Sequence, residues 1–328
     1  MHVLVTGGTG YIGGRLIPRL LRQGHTVRAM VRDPSRLAGR PWASRVEIVT
    51  ANLLEPDTLA GTLDGIDAAY YLIHSMYAGA DFAQRDRQAA LNFCCAASDL
   101  QHVIYLGGLQ PERKLLSQHL HSRAEIGRIL SLHLPTTEFR AGPIIGSGSA
   151  SFEMLRYLTE RLPVVIAPGW VKNEIQPIAI RDVLAYLIAA LERGPSEIVE
   201  IGGDRLTYRQ MMKGYAQARG LRRLIISLPP LLPAWIGARV IGLITPIPSR
   251  LAVPLVEGMT QPLVVKDERA QKLYGDIKPI SFEKAVKLAV SRVQNQAVET
   301  RWSGTQTDEP TYEHRDLRGL VREVRSLH

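Results

Sequence analysis

The sequence is poor in cysteine: its 328 residues include only Cys94 and Cys95. Neighbouring cysteines seldom pair with each other and lack the spacing of metal ligands, so neither a disulfide framework nor a metal site is predicted. We interpret both as small, mostly buried helix residues in a protein of a reducing compartment. The first residues already read as a strand, which leaves no room for a signal or transit peptide, and we expect a cytoplasmic protein.

The sequence also lacks an uninterrupted apolar run of the about 18 residues that a membrane-spanning helix needs. Its most apolar stretch, residues 224–256, is broken by prolines and contains Arg239 and Arg250. We interpret this stretch as a hydrophobic lid over a substrate pocket. The alternative is a surface that rests on a membrane with Trp235 at the interface.

Basic residues are in excess but are not concentrated. Lys and Arg number 40 against 31 Asp and Glu, a formal net charge of +9. There is no block of five or six basic residues and no nucleic-acid-binding motif. We therefore expect no nucleic-acid partner, and we interpret the charge as a surface suited to anionic ligands.

A glycine-rich turn stands at the start of the chain. An apolar run from His2 to Val5 leads into the turn, and apolar residues at helical spacing follow it. Glycine allows a tight turn, a close backbone approach to a pyrophosphate and close packing of the helix, whose N-terminus offers free N–H groups. The pattern predicts a dinucleotide phosphate site, and the Walker pattern of ATP-binding loops is absent. The predicted site residues are Gly7, Thr9, Gly10, Tyr11, Ile12 and Gly13.

The spacing G-x-x-G-x-x-G, in the wording TGGTGYIG of residues 6–13, resembles the short-chain dehydrogenase/reductase superfamily in its extended or atypical branch. The resemblance implies a nicotinamide cofactor. Later segments at residues 105–109, 146–149, 176–183 and 198–212 continue it. Together they resemble NmrA-like proteins and a bacterial set akin to the 39-kDa accessory subunit of respiratory complex I. A contact with a respiratory complex or with the membrane surface therefore remains open.

Strands and helices alternate along the first half of the chain, which predicts an α/β fold with a doubly wound parallel sheet. We expect an NAD(P)-binding Rossmann domain at residues 1–150, to which residues 175–201 return. A smaller, mostly helical substrate or lid region is expected at residues 151–297, and a charged, loosely ordered tail at residues 298–328.

Individual helices are also predicted. We expect one at residues 56–63 and a long one at residues 81–98, whose core-facing stripe is Phe82, Ala89, Phe93 and Ala97. Serines at 147, 149 and 151 precede a helix at residues 152–160, which one of them should cap.

The end of the second strand favours NADP. In relatives that prefer NAD, the resemblance places an acidic residue there, whereas this sequence has Val31 followed by Arg32. A cation without a carboxylate suits a 2′-phosphate, and Arg15 could assist it. The alternative is that Arg32 is a solvated residue paired with Asp33.

The resemblance assigns three more cofactor contacts. Asn52 and Leu53 follow the third strand and are expected against the adenine, and Ile73 is expected near the nicotinamide ribose. His74 stands where relatives have a small residue. It could touch cofactor or substrate, although a histidine that only caps the strand end is the interpretation we favour.

The catalytic set implied by the resemblance is missing. It comprises a Ser after the fifth strand and a Tyr-x-x-x-Lys on the next helix, where this sequence has glycine at the end of the strand (Gly107-Gly108), His119 and Arg123. His119 and Arg123 could form a substituted dyad, because histidine exchanges protons near neutral pH. We favour loss of the dyad chemistry, since arginine does not titrate and no hydroxyl replaces the serine. The catalytic residues thus stay unassigned, with His119, Arg123 and His74 as candidates.

Three functions remain open. The first is an NADP-dependent reductase that passes hydride to a small hydrophobic, quinone-like acceptor able to take its protons from water. The second is a non-catalytic NADPH-binding protein, structural or sensing, that docks on a partner or membrane complex. The third, a sugar-nucleotide epimerase or dehydratase, is disfavoured because its chemistry depends on the missing dyad.

Overall fold

The protein is built of short strands and helices that alternate along the chain. The computed structural model describes residues 1–75, 81–111, 117–227, 253, 255–258 and 260–302. In this part the strands are β1 (His2–Thr6), β2 (Thr26–Val31), β3 (Glu47–Thr50), β4 (Ala68–Tyr71), β5 (His102–Gly108), β6 (Thr136–Ala141), β7 (Ile144–Ile145), β8 (Val164–Ala167), β9 (Glu174–Ile175), β10 (Ile178–Ala179), β11 (Ile198–Ile201), β12 (Leu206–Thr207) and β13 (Leu224–Ser227).

The helices of the same residues are α1 (Gly13–Arg22), α2 (Phe82–Ala96), α3 (Gln118–His133), α4 (Ala150–Arg161), α5 (Ile180–Arg193), α6 (Tyr208–Ala218), α7 (Arg269–Leu273) and α8 (Phe282–Gln294). Short 3₁₀ helices lie at Pro34–Leu37, Ala43–Arg45, Pro56–Leu59 and Gly169–Lys172.

Seven parallel strands form the main sheet in the order β3–β2–β1–β4–β5–β6–β11. The strand order reverses between β1 and β4, whose neighbours in the chain lie on opposite sides of them. This is the doubly wound topology that the alternation of elements predicts, and the fold class is confirmed. In such sheets ligands bind at the carboxyl ends of the strands where the order reverses.

Both faces of the main sheet are covered. Side chains alternate between the faces along a strand, so Val3 and Val5 of β1 pack with α1 and α5, and Leu4 packs with α2 and α3. Each face thus has its own hydrophobic cluster. Within α2, Cys94 is buried and Cys95 is exposed.

A third hydrophobic cluster lies outside the main sheet. It joins residues of α4, α6 and α8 with three two-stranded sheets, β7–β10, β9–β12 and β8–β13. Strand β11 follows α5 and pairs with β6, so the chain leaves the main sheet at residue 141 and comes back to it at residue 198. This returning strand completes the edge of the main sheet.

Helix caps account for several boundaries. The Ser149 hydroxyl accepts a hydrogen bond from the Phe152 N–H at 3.1 Å, and Thr207 with Gln210 forms a capping box at α6. The helix expected at residues 56–63 is wrong in extent. The 3₁₀ helix found there ends at Leu59, because Ala60 has a non-helical ψ of 128° and Gly61 has a positive φ of 71°.

Most of the stretch at residues 224–256 lies outside the described residues, including Trp235, Arg239 and Arg250. The lid and membrane-surface roles expected of it therefore stay predictions. The same holds for residues 303–328 of the tail. No helix in the described ranges has the length and apolar character that crossing a membrane requires.

The hydroxyl of Thr6 links the two central strands. It donates to the Tyr70 carbonyl at 3.0 Å and accepts from the Leu72 N–H at 3.0 Å. We expect Thr6→Val to lower the free energy of unfolding by about 1–2 kcal/mol, since both groups lose their partner. Urea denaturation measures this loss. Thr50→Val at the exposed end of β3 is the control, and an equal loss in both variants would contradict this role for Thr6.

Candidate cofactor and catalytic site

The glycine-rich turn lies at the carboxyl ends of β1 and β4, where the strand order reverses. Gly7 has a φ of +72°, and a Cβ there would lie 2.9 Å from the Leu72 carbonyl oxygen. A Cβ on Gly13 would overlap the Gly7 carbonyl oxygen. The N–H of Gly10 closes the turn by donating to the same oxygen at 2.9 Å. These glycines therefore allow a backbone packing that other residues would block.

The N-terminus of α1 carries free donors. Its N-cap residue, Ile12, makes no side-chain cap, and the first turn contains no acidic residue. None of the hydrogen bonds between described residues uses the N–H groups of Tyr11, Ile12 or Gly13. Thr9 is half-buried in the turn before them. A turn free of Cβ atoms beside unpaired N–H groups at a positive helix end fits the pyrophosphate of a dinucleotide.

Arg15 lies behind this turn and not in front of it. Its side chain is buried, and its guanidinium donates to the Thr300 hydroxyl at 2.8 Å and to the Ser147 carbonyl at 2.7 Å. Thr300 in turn donates to the Tyr11 carbonyl at 2.8 Å. The assistance to a 2′-phosphate expected of Arg15 does not match these contacts, which use the guanidinium inside the protein.

Residues 298–302 are packed where a loosely ordered tail was expected to begin. Thr300 is only 3% exposed, and the Glu299 carboxylate lies 3.1 Å from both Arg19 and Arg292. The Trp302 N–H donates to the Gly148 carbonyl at 2.8 Å. The sequence hides the packing of Thr300 because its partners Tyr11 and Arg15 lie 289 and 285 positions earlier in the chain.

The Tyr11 side chain points toward this packed segment. Its ring lies 4.7 Å from the Arg15 guanidinium carbon, and a Cβ on Gly146 would stand 2.5 Å from its hydroxyl. Burial raises the pKa of Tyr11 well above its ordinary value, so the phenol stays neutral. Tyr11 can reach a phosphate through its N–H, while its ring supports the turn.

Arg32 is exposed directly after β2. The neighbouring Asp33 carboxylate accepts from the Ser35 N–H at 2.9 Å and from the Ser35 hydroxyl at 2.6 Å, and these hydrogen bonds lower its pKa. No ion pair of the described residues joins Arg32 to Asp33. Arg32 is thus solvated, as the alternative expects, but it is not paired with Asp33.

The predicted adenine contacts are engaged in local structure. The Asn52 side chain accepts from the Leu54 N–H at 3.2 Å and donates to Glu55 at 2.7 Å. Leu53 is buried in the cluster beside α2, and Ile73 is half-buried against the same cluster. The contacts of these residues with a cofactor stay predictions.

Two histidines and an aspartate form a connected chain at the same edge of the sheet. His74 follows β4, and its Nδ1 lies 3.0 Å from Oδ2 of Asp86 on α2. Its Nε2 lies 3.1 Å from Nδ1 of His119 on α3. Asp86 also accepts from the Ser75 N–H at 2.8 Å and from the Ser122 hydroxyl at 3.3 Å. The favoured interpretation of His74 as a residue that only caps the strand end is incomplete, because its hydrogen bonds link the end of β4 to α2 and α3.

The charges of this chain can be assigned. Burial, followed by the positive charge of Arg123, lowers the pKa of His74 to about 4. Burial, followed by the charges of His74 and Arg123, lowers the pKa of His119 well below its ordinary value. Burial acts to raise the pKa of Asp86, but hydrogen bonds from His74 and Ser75 outweigh it, and the pKa is lowered. At neutral pH the aspartate is therefore charged and both imidazoles are neutral.

Arg123 does not partner His119 by hydrogen bonding. Its Nη1 donates to the Leu106 carbonyl at 2.7 Å, which fixes the guanidinium to the end of β5. At the position of the expected serine, a Cβ on Gly107 would lie 3.1 Å from the Glu138 carboxylate. A hydroxyl-bearing side chain thus has little room there.

Sequence reasoning missed Asp86. The signal was present, because Asp86 lies four residues after Phe82 and falls on the core-facing stripe of α2, where it is 1% exposed. A charged residue on an apolar stripe is rarely buried without a partner. Its partner His74 and the next residue of the hydrogen-bonded chain, His119, were both candidates, but the sequence did not show them as neighbours.

Comparison with known proteins agrees with this geometry. Residues 7–130 match a family described as NAD(P)H-binding. Over 108 residues the chain is 32% identical to 3β-hydroxysteroid dehydrogenase/Δ5→4-isomerase of Mycobacterium tuberculosis, a stretch that covers 32% of this chain and 28% of that protein. It is 24% identical over 235 residues to ceramide reductase of Caulobacter vibrioides, which covers 69% of this chain and 73% of the relative.

The fold of the whole chain also has solved counterparts. UDP-glucose 4-epimerase of Thermotoga maritima superposes with a TM-score of 0.69 at 16% identity, covering 90% of this chain and 99% of the epimerase. The chain thus carries an NAD(P)H-binding region and shares the fold of this epimerase. The alignment that the resemblance implies would place glycine, His119 and Arg123 at the positions of the usual Ser, Tyr and Lys.

The glycine turn gives a direct test of cofactor binding by this protein. Gly7 and Gly24 both have positive φ, but only at Gly7 would a Cβ meet another backbone atom within 4 Å. We expect Gly7→Ala to lower NADPH affinity at least about tenfold, since a displaced turn misplaces its N–H groups. Gly24→Ala, with the same backbone strain, should keep the wild-type affinity. Fluorescence titration measures both, and equal affinities would contradict the assignment.

Proposed function

We propose that this protein is an NADPH-dependent oxidoreductase that exchanges hydride between the nicotinamide and a small hydrophobic carbonyl compound, quinones included, or the corresponding alcohol. One observation carries the proposal. The free N–H groups of α1 and the His74–His119 pair lie at the same carboxyl edge of the sheet, where one bound dinucleotide can meet both.

The preference for NADPH rests on Arg32. Its guanidinium is exposed after β2, and Asp33 turns its carboxylate to Ser35 instead of to Arg32. A cation whose neighbouring carboxylate is engaged elsewhere favours a 2′-phosphate over a ribose hydroxyl, because charged hydrogen bonds to phosphate are strong.

The hydrophobic acceptor is supported by the relatives. By their names, the two curated proteins above act on a hydroxysteroid and on ceramide, both largely apolar molecules with a hydroxyl or carbonyl group. Their likeness to this chain is partial or distant, so the specific acceptor is part of the proposal.

Each part of the chain has a defined task in this function. When bound, the nicotinamide supplies or accepts the hydride. The N–H groups of Tyr11, Ile12 and Gly13 hold the pyrophosphate, and Arg32 holds the adenosine end. His119, half-buried at the N-terminus of α3, stands where an acid or base can meet the oxygen of the acceptor.

The first experiment is a titration of the full-length protein with NADPH and NADH, followed by addition of menadione as a hydrophobic quinone probe. We expect tight NADPH binding and a loss of NADPH absorbance when menadione is added. Absence of binding to either nucleotide would overturn the proposal at its base.

Arg32→Ala tests the cofactor preference. We expect the ratio of NADPH to NADH affinity to fall about tenfold or more, since one charged hydrogen bond to the phosphate is lost. Arg22→Ala, an exposed arginine at the end of α1, is the matched control and should leave the ratio unchanged. An unchanged ratio in Arg32→Ala would show that the preference is set elsewhere.

A second candidate function is non-catalytic NADPH binding in a structural or sensing protein. It is favoured by Gly107, where the Glu138 carboxylate leaves little room for the serine that orients a substrate carbonyl. Tight NADPH binding without oxidation by menadione or any other carbonyl probe would support it. An epimerase is not supported beyond the fold, because the tyrosine and lysine of that chemistry are replaced by His119 and Arg123.

A further inference from the structure

We propose that Asp86, His74 and His119 form a proton relay, and that Nε2 of His119 is the atom that exchanges the proton with the substrate oxygen. The relay takes the place of the missing tyrosine and lysine. In this arrangement His119 is the catalytic residue, and His74 and Asp86 are positioning residues behind it. The substrate step rests on the proposed hydride transfer, but the protonation pattern of the relay does not.

The hydrogen bonds determine which ring nitrogens carry protons. A carboxylate only accepts, so Nδ1 of His74 must be an N–H that donates to Oδ2 of Asp86 at 3.0 Å. In a neutral ring this leaves a lone pair on Nε2 of His74. Nδ1 of His119, 3.1 Å away, must then be an N–H that donates to it. The remaining nitrogen, Nε2 of His119, is left with a lone pair.

The orientation of Asp86 is fixed by two further donors. The Ser75 N–H donates to Oδ1 at 2.8 Å, and the Ser122 hydroxyl donates to Oδ2 at 3.3 Å. The carboxylate, which α2 carries, therefore accepts hydrogen bonds from the segment after β4 and from α3. Such second partners keep a histidine in one tautomer and one ring orientation.

The relay has two states that differ by one proton. In the empty state both imidazoles are neutral, and in the loaded state His74 carries the additional proton. In the empty state Nε2 of His119 accepts the proton of a substrate alcohol while the nicotinamide of NADP⁺ accepts the hydride. The proton on Nδ1 of His119 passes to Nε2 of His74, which becomes an imidazolium beside Asp86. In the loaded state the steps reverse: His119 gives the proton to the carbonyl oxygen, and bound NADPH would supply the hydride for the carbonyl carbon. The acceptor then needs no proton from water.

The surrounding charges set which state prevails. Asp86 stabilises the loaded state, whereas Arg123 and the N-terminus of α3 oppose it. The phenols of Tyr71 and Tyr105, packed beside Asp86, are held neutral by burial, and the Glu138 charge near Tyr105 is paired with Arg140 at 2.7 Å. The relay is therefore empty at neutral pH.

The protonation state of the relay determines the direction in which the rates of alcohol oxidation and carbonyl reduction change with pH. Alcohol oxidation uses the empty state, so its rate should be level at neutral pH and fall once acid loads the relay. Carbonyl reduction uses the loaded state, so its rate should rise about tenfold for each unit by which the pH falls toward the pKa of the relay. If these hydrogen bonds had only the structural role of joining α2 and α3 to β4, neither rate would depend on pH in this way.

The first test reads the tautomers directly in full-length protein without substrate. Long-range proton–nitrogen-15 spectra distinguish protonated from unprotonated ring nitrogens. In the wild type we expect both His74 and His119 to carry their proton on Nδ1. A proton on Nε2 of His119 would overturn the relay.

Asp86→Asn provides the matched change. The Ser75 N–H requires an oxygen at the position of Oδ1, so the amide NH₂ faces His74 and can only donate to Nδ1. Both rings must then reverse, and Nε2 of His119 becomes an N–H. We expect the reversed tautomers in the spectra and a loss of alcohol oxidation of at least about a hundredfold. Unchanged tautomers in a folded Asp86→Asn variant would contradict the relay.

The kinetic test uses His119→Gln, with His121→Gln as the control because it is exposed on the same helix. With NADPH and menadione, and with NADP⁺ and 1-indanol, we expect His119→Gln to lose about 100-fold or more in kcat and to keep its NADPH affinity. His121→Gln should match the wild type. Full activity of His119→Gln would overturn the relay.

The two proposals fail separately. If the wild type binds NADPH but turns over no probe, the proposed oxidoreductase function fails, and the tautomers still decide whether the relay exists. If the wild type turns over its probes with a flat pH profile in both directions, the oxidoreductase stands and the relay is wrong.

Discussion

The close approach of Gly7 to the backbone of Leu72 is the constraint on which the candidate site depends. Two parallel strands end side by side there, and the absence of a Cβ lets one turn lie directly against the next. On one side this contact sets the N–H groups of α1 at the sheet edge. On the other it fixes the start of the segment that carries His74. The N–H groups at the start of α1 and the position of His74 thus both depend on this one backbone contact.

The sequence was sufficient for the parts that depend on local pattern. The glycine spacing at residues 7–13 and the alternation of strands and helices predict the turn and the doubly wound sheet, because each rests on residues close together in the chain. The boundary at Leu59 was harder, since a positive φ at Gly61 ends the turn within a pattern that otherwise continues.

The histidine chain could not be predicted in the same way. His74 lies 12 positions from Asp86 and 45 from His119, and only the packing of α2 against α3 brings them together. The alignment on the usual tyrosine and lysine predicts that Arg123 partners His119. In the structure Arg123 donates to the Leu106 carbonyl and makes no hydrogen bond with His119. A buried charge on an apolar stripe was the better guide, because such a charge is costly unless donors surround it.

Thr300 gives the molecule an unusual order of assembly. The segment of β1, the turn and α1 contains Arg15, whose partners Glu299 and Thr300 are synthesised close to 285 residues later. Until then a cation sits at the back of the phosphate turn with part of its hydrogen bonding unmet. An early segment of the nascent chain is therefore completed by a much later one, which supplies partners that hold Arg15 behind the turn.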